Sequence, residues 1–155
     1  MRVKGNILVA TDFSEPSSEA LRRAVTLARQ YGADVHLLHV MEPAVFFETD
    51  LLTVPPLGEV TEAIRRGAES RLHQQAKLVD FDVTTHLLES MGAPAGTICS
   101  FAATLPAALI VVGRQGVRGA IEQLLIGSTA ERVVRHAPCS VLVTMPHGLF
   151  GDVAS

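Results

Sequence analysis

The chain has 155 residues, 48% apolar and 19% charged, with a formal net charge of -3. That composition fits one ordinary domain with its own core, too hydrophobic for a disordered chain and without the clustered Lys and Arg that nucleic acid or anionic lipid requires. No apolar stretch approaches the roughly 18 residues of a membrane span. A cytoplasmic protein with no nucleic-acid or membrane partner is expected. The two cysteines, Cys99 and Cys139, stand far apart without a pairing pattern and read as small buried thiols of a reducing compartment.

The first predicted element is Asn6 to Ala10, a short apolar run suited to a strand buried on both faces. It ends at Thr11-Asp12-Phe13-Ser14, where Ser14 is the expected N-cap of a helix. That helix carries Pro16 in its first turn and Ala20, Leu21, Ala24, Leu27, Ala28 and Tyr31 at helical spacing, and Gly32 stops it. Val35 to Val40 is the second strand, followed by a connection from Pro43 to Gly58 without periodicity. Val60, Ile64, Ala68, Leu72, Ala76 and Val79 mark a long second helix, and Val83 to Leu88 alternates enough to suggest a strand near an edge. Gly92-Ala93-Pro94 opens a third helix with Ile98, Cys99, Ala102 and Ala103 inward. Ala107 to Val112, the most hydrophobic strand, is expected to be central. After a glycine-bearing segment come a helix with Ala130, Val133 and Val134 inward and a fifth strand, Ser140 to Thr144. Residues 1–145 are expected to form the domain and 146–155 a loose tail.

Strands and helices in alternation, joined by right-handed crossovers, imply a single-domain α/β fold with a doubly wound five-stranded parallel sheet and helices on both faces. Ligands of such sheets sit beyond the carboxyl ends of the strands, where the winding reverses. The segments after strands one and four are therefore the candidates. In the second of these, Gly113 and Gly116 allow backbone amides to approach phosphates closely. Gly127-Ser128-Thr129 opens a helix whose free amides and dipole favour an anion. A purely local reading competes, because Ser128 and Glu131 have the spacing of a capping box and glycines after a strand can be simple turns. A P-loop is absent, and glycines at 113, 116 and 119 do not have the dinucleotide spacing, so P-loop hydrolysis and NAD binding are set aside.

With its paired glycines followed by Gly127-Ser128, the chain resembles the universal stress protein family, whose ATP-binding members carry two glycines three apart, nine residues, then Gly-Ser or Gly-Thr. Ile7 to Ser14 looks like that family's first strand and turn, Leu38-His39-Val40 like its second strand end, and Arg135 to Val143 like its closing helix and strand. The resemblance implies strand order 3-2-1-4-5 and a site for ATP, or ADP or AMP, with Mg²⁺ as the nucleotide's companion. It places Ala10 and Asp12 beside the nucleotide, Asp12 near the ribose or the metal. Val40 and Val112 would border the adenine, and Gly113, Gly116, Gly127, Ser128 and Thr129 would surround the phosphates. Three departures stand out: ten residues rather than nine separate Gly116 from Gly127, Ala10 replaces a common Pro, and Ala108 replaces a common Asp.

Asp12 can alternatively cap the following helix. His36 and His39, three apart on one strand, point to opposite faces and cannot readily share a metal. His73, His86, His136 and His147 lack partners at ligand spacing and read as surface or helix-end residues, so no structural metal is expected. No nucleophile–base pair is evident. Glu122 reads as a solvated acid, while Arg114 and Arg118 suit phosphate charge or are ordinary surface arginines. Val141-Leu142-Val143 forms an apolar sheet edge, which a twofold homodimer would cover. The expected function is a dimeric, ATP-binding stress-response regulator with an unidentified protein partner and no catalytic residues. A nucleotide-free interaction protein of the same family and a slow ATP hydrolase are the alternatives.

Overall fold

The structure, a computed structural model, describes residues 4–42, 57–90, 92–114 and 126–145. Its elements run β1 (Asn6–Ala10), α1 (Glu15–Tyr31), β2 (Asp34–Met41), α2 (Leu57–Ala76), β3 (Val83–Glu89), α3 (Pro94–Thr104), β4 (Ala107–Gly113), α4 (Ser128–His136) and β5 (Ser140–Thr144). All four strand pairings are parallel, and the sheet order is β3-β2-β1-β4-β5. The winding therefore reverses between β1 and β4. β1 holds the middle of the sheet; β4, expected there for its hydrophobicity, lies one place from the edge and is paired on both sides.

Period-two alternation sorts each interior strand between two cores. Ile7, Val9, Val35, Leu37 and Val111 face α1 and α2, packing with Leu21, Ala24, Val25 and Leu72. Leu8, Leu38, Val40, Ile110 and Val112 face α3 and α4, packing with Ile98, Ala102, Ala130 and Val133. Burial on both faces explains why these strands read as continuous apolar runs rather than alternating ones.

The first helix begins and ends as expected. Ser14 is its N-cap, accepting from the Ser17 N–H, Pro16 lies in its first turn, and Gly32 closes it in the left-handed region at φ 69°. α2 starts at Leu57, inside the stretch read as connection, and Val79 lies beyond its end. Ala103 and Val134, expected inward, are exposed, as is Ile64, one of the residues that marked the second helix. Ala103 and Val134 each sit one residue past a buried position, about 100° around the helix, so the apolar stripes of α3 and α4 are narrower than their composition suggests. Ile64 instead lines a groove with Phe13, His39 and Met41 near the carboxyl ends of β1 and β2. Ala108 falls at an irregularity in pairing, where Asn6 opposes Ala107 and Ile7 opposes Leu109. It is exposed there, so its departure from the family pattern affects a surface position away from the strand's carboxyl end.

Candidate functional site

Beyond the carboxyl ends of β1, β2 and β4 lies a cavity of about 810 Å³, a size typical of small-molecule sites. Ala10, Asp12, Val40, Val112, Gly113, Gly127, Ser128 and Thr129 all line it. Gly116 and Arg118 lie outside the described residues, as do Glu122 and the tail from Pro146. The cavity lining is chemically mixed. Leu38, Val40, Ile98 and Val112 supply apolar walls, while Asp12, Ser14, Glu42, Arg114, Glu131 and the start of α4 supply polar groups.

The polar groups after β1 are held by a tight turn. The Thr11 N–H donates to Leu38 O at 2.9 Å, extending the β1–β2 ladder by one residue. The Thr11 hydroxyl oxygen accepts the Phe13 N–H at 2.9 Å. Phe13 has φ 65°, the only non-glycine residue with positive φ among the described residues, a conformation uncommon for a bulky side chain and worth explaining where it occurs. Asp12 Oδ1 accepts from the Ser14 N–H at 3.0 Å and from the Ser14 hydroxyl. Asp12 therefore braces the capping residue instead of capping α1 itself, and remains part of the cavity wall. His39 Nδ1, by donating to Thr11 O at 2.8 Å, anchors the same turn, with its ring 4.3 Å from that of Phe13. Burial holds the His39 imidazole below its usual pKa, so it is predominantly neutral near pH 7.

Two further features concern the glycines. A Cβ at Gly113 would stand 2.9 Å from the backbone C, backbone O and Cβ of Pro16. Glycine is therefore required for close packing of β4 against the first turn of α1, quite apart from any phosphate. At the other end of the segment, Gly127 is the N-cap of α4 with φ -57° and makes no side-chain cap bond. The capping box read from Ser128 and Glu131 does not form, because the helix already includes Ser128. With no capping side chain, the amides of Ser128, Thr129 and Ala130 lack partners within the helix, and all three residues border the cavity. The Gly127 N–H donates to Arg114 O at 2.7 Å, closing the two ends of the glycine segment on each other. The Arg114 N–H in turn donates to Thr144 O at 3.0 Å.

Sequence reasoning passed over Thr11, Ser14, Ser17, His39 and Pro94 as cavity residues. Their locations follow from strand pairing, from the α1 corner and, for Pro94, from the start of α3, which a linear pattern does not display. His86, expected to be an ordinary surface or helix-end residue, instead has a partner. It lies on β3, with Nε2 3.0 Å from His36 Nδ1, while His36 Nε2 lies 3.3 Å from Asn6 Oδ1. The ring centroids of the two histidines are 5.3 Å apart with planes at 25°, which suits an in-line N–H···N bond between nearly coplanar rings. Burial pushes both imidazoles below their usual pKa, and Asp34 partly opposes this at His36. Among the described residues no cluster of three or more His, Cys, Asp or Glu could hold a metal ion, and no helix is long and apolar enough to cross a membrane.

A family model described as the Universal stress protein family matches residues 5–144. The chain belongs to the universal stress protein family. It is 33% identical over 143 residues to a universal stress protein of Methanocaldococcus jannaschii, covering 88% of this chain and 79% of that one. Among solved structures, the universal stress protein UspA from Lactobacillus plantarum matches at 29% identity and TM-score 0.68, with coverage of 92% and 99%. A universal stress protein from Archaeoglobus fulgidus, solved in complex with dAMP, shares the fold at 24% identity and TM-score 0.60, with coverage of 92% and 98%. Another, in complex with cAMP, does so at 24% identity and TM-score 0.60, with coverage of 94% and 100%. The order of strands and helices derived from the sequence is that of this family's α/β fold.

Proposed function

We propose that this universal stress protein binds an adenine nucleotide, ATP in the first instance, in the cavity where the sheet's winding reverses. The observation that carries the reading is the joining of unlike surfaces in one space. Apolar walls of Val40, Val112, Leu38 and Ile98 face a cavity that also receives Asp12, Arg114 and the uncapped first turn of α4. Such a mixture suits a ligand that joins a flat apolar base to an anionic chain. Charged hydrogen bonds contribute roughly 1.5–3 kcal/mol each, so a few of them supply much of the approximately 8 kcal/mol that micromolar affinity requires. The dAMP and cAMP complexes of the two related proteins support an adenine ligand here.

Asp12, by offering one carboxylate on the cavity wall, suits the usual Mg²⁺ arrangement of one or two carboxylates plus nucleotide phosphates. Bound there, Mg²⁺ would neutralise phosphate charge. The protein is proposed as a nucleotide-responsive regulator of the cytoplasm. The apolar β5 edge supports a homodimer, with Leu142 37% exposed in the single chain.

The test is competition. A fluorescent ATP analogue bound to nucleotide-stripped protein is titrated with ATP, ADP, AMP, cAMP and GTP. Displacement by adenine nucleotides well before GTP is the expected result; no analogue binding, or equal displacement by GTP, would contradict the reading.

A further inference from the structure

Gln75 is a polar side chain near the C-terminal end of α2, only 5% exposed. Its carboxamide is fully engaged. Oε1 accepts from the Thr11 hydroxyl at 2.6 Å, and Nε2 donates to Ser18 Oγ at 3.0 Å and, more weakly, to Ser17 Oγ at 3.4 Å. Thr11, Ser17 and Ser18 are themselves buried, at 6%, 3% and 7% exposed. One side chain of α2 thus grips both arms of the β1–α1 corner, the strand end through Thr11 and the first helical turn through the serines.

The consequence runs to the cavity. Thr11 Oγ1, oriented by Gln75, accepts the Phe13 N–H and so helps hold Phe13 in its left-handed conformation. The Ser17 hydroxyl donates to Ser14 O at 2.8 Å, and Ser14 in turn braces Asp12. Thr11, Asp12, Ser14 and Ser17 all border the cavity, whereas Gln75 does not. The Thr11 hydroxyl also lies 2.9 Å from Ser17 Oγ, so loss of Gln75 would turn its proton toward Ser17 and deprive Ser18 Oγ of its amide donor; a buried polar group that loses a partner retains its desolvation penalty, and the corner has reason to rearrange.

We propose that Gln75 is a positioning residue of the nucleotide site, holding through Thr11 and Ser17 the turn that presents Asp12, and so linking α2 to nucleotide occupancy. This rests on the nucleotide reading of the cavity. Linkage is reciprocal: if α2 supports the bound arrangement of the turn, a bound nucleotide stabilises the packing of α2 against it.

The experiment combines binding and hydrogen exchange on the full chain. Calorimetric affinity for Mg-ATP is measured for wild type, Gln75→Leu, Gln75→Glu and, as a control on the same helix, Leu72→Ala, which removes packing from the core cluster that Phe13 also meets but none of the turn's hydrogen bonds. Gln75→Leu is expected to lose about tenfold or more in affinity, corresponding to about 1.4 kcal/mol, while Leu72→Ala loses thermal stability with its affinity retained. In Gln75→Glu the introduced carboxyl, when protonated, has one donor and one acceptor and reproduces much of the carboxamide's bonding. The affinity of Gln75→Glu relative to wild type at the same pH is therefore expected to rise as pH falls from 7.5 to 5.5. In wild type, amides around Leu72 to Ala76 are expected to gain protection on nucleotide addition, a readout available even if a variant does not fold. Wild-type affinity in Gln75→Leu, or unchanged α2 exchange in a protein that binds nucleotide, would overturn the inference. Absence of wild-type binding would refute the nucleotide reading itself, and this proposal with it.

Discussion

Gly113→Ala tests the packing account of the site most simply. The added Cβ would stand 2.9 Å from three atoms of Pro16, two of them backbone, so relief requires movement of the α1 first turn or of the end of β4. Both are restrained. The Ser18 N–H donates to Ser14 O at 3.1 Å, the Arg114 N–H is tied to Thr144, and β4 is paired on both sides. Overpacking in such a setting costs roughly 1–3 kcal/mol, and for a chain of this size each kcal/mol lowers Tm by about 2–4 °C. The restraints favour the upper half of that product, a fall of about 7–12 °C by differential scanning calorimetry. Gly67 supplies the internal control, since a Cβ there meets nothing within 4 Å and the residue lies inside α2. Gly67→Ala is expected to raise Tm by about 1–4 °C, from the roughly 0.5–1 kcal/mol helix preference for alanine. An unchanged Tm in Gly113→Ala would refute the claim that glycine is needed there for close packing.

The remaining expectations concern pH and assembly. His36, His39 and His86 have folded pKa values below the ordinary 6.5, so below that pH the unfolded chain binds more protons and stability falls as pH falls. Desolvation dominates at all three; Asp34 opposes it at His36, and the Thr11 carbonyl and then Asp12 oppose it at His39, while Arg71 adds to it at His39 and His36 adds to it at His86. Urea unfolding at pH 7.5, 6.5 and 5.5 is expected to show a declining midpoint, with a shallower decline in His86→Gln; a flat or rising midpoint would contradict the neutral imidazole pair. Leu142→Lys places charge on the β5 edge and is expected to shift sedimentation toward monomer with little change in Tm. Unchanged sedimentation of a dimeric wild type would place its interface elsewhere.

Strand and helix positions were legible because their causes are local. Ile7 to Val9 and Ile110 to Val112 are apolar without a break because both sheet faces are covered, and Ser14 and Gly32 mark the ends of α1 by their own backbone chemistry. The cavity was legible to the extent that it sits at strand ends: residues near positions 12, 40, 113 and 127 converge once the sheet order is known. What escaped depends on contacts between distant residues. Nothing local distinguishes Gln75 from a solvated helix residue, and the His36–His86 bond spans 50 positions. Gly113 drew notice as a phosphate-loop glycine, whereas the close approach of Pro16 gives it an independent packing role that only the folded α1 corner reveals. Ser128 with Glu131 has the spacing of a capping box, yet the helix takes Gly127 as its cap and leaves Ser128 within the first turn.

Titration calorimetry of nucleotide-stripped protein with Mg-ATP, run beside Asp12→Asn, tests the central claim most directly. The introduced carboxamide retains an acceptor for the Ser14 N–H, so the turn and the Tm are expected to survive while the carboxylate charge is lost. The expected result is micromolar binding by the wild type, weakened about tenfold or more in the variant, corresponding to about 1.4 kcal/mol. No heat of binding from wild-type protein shown to be free of co-purified nucleotide would contradict the account and favour a universal stress protein that works through protein contacts alone.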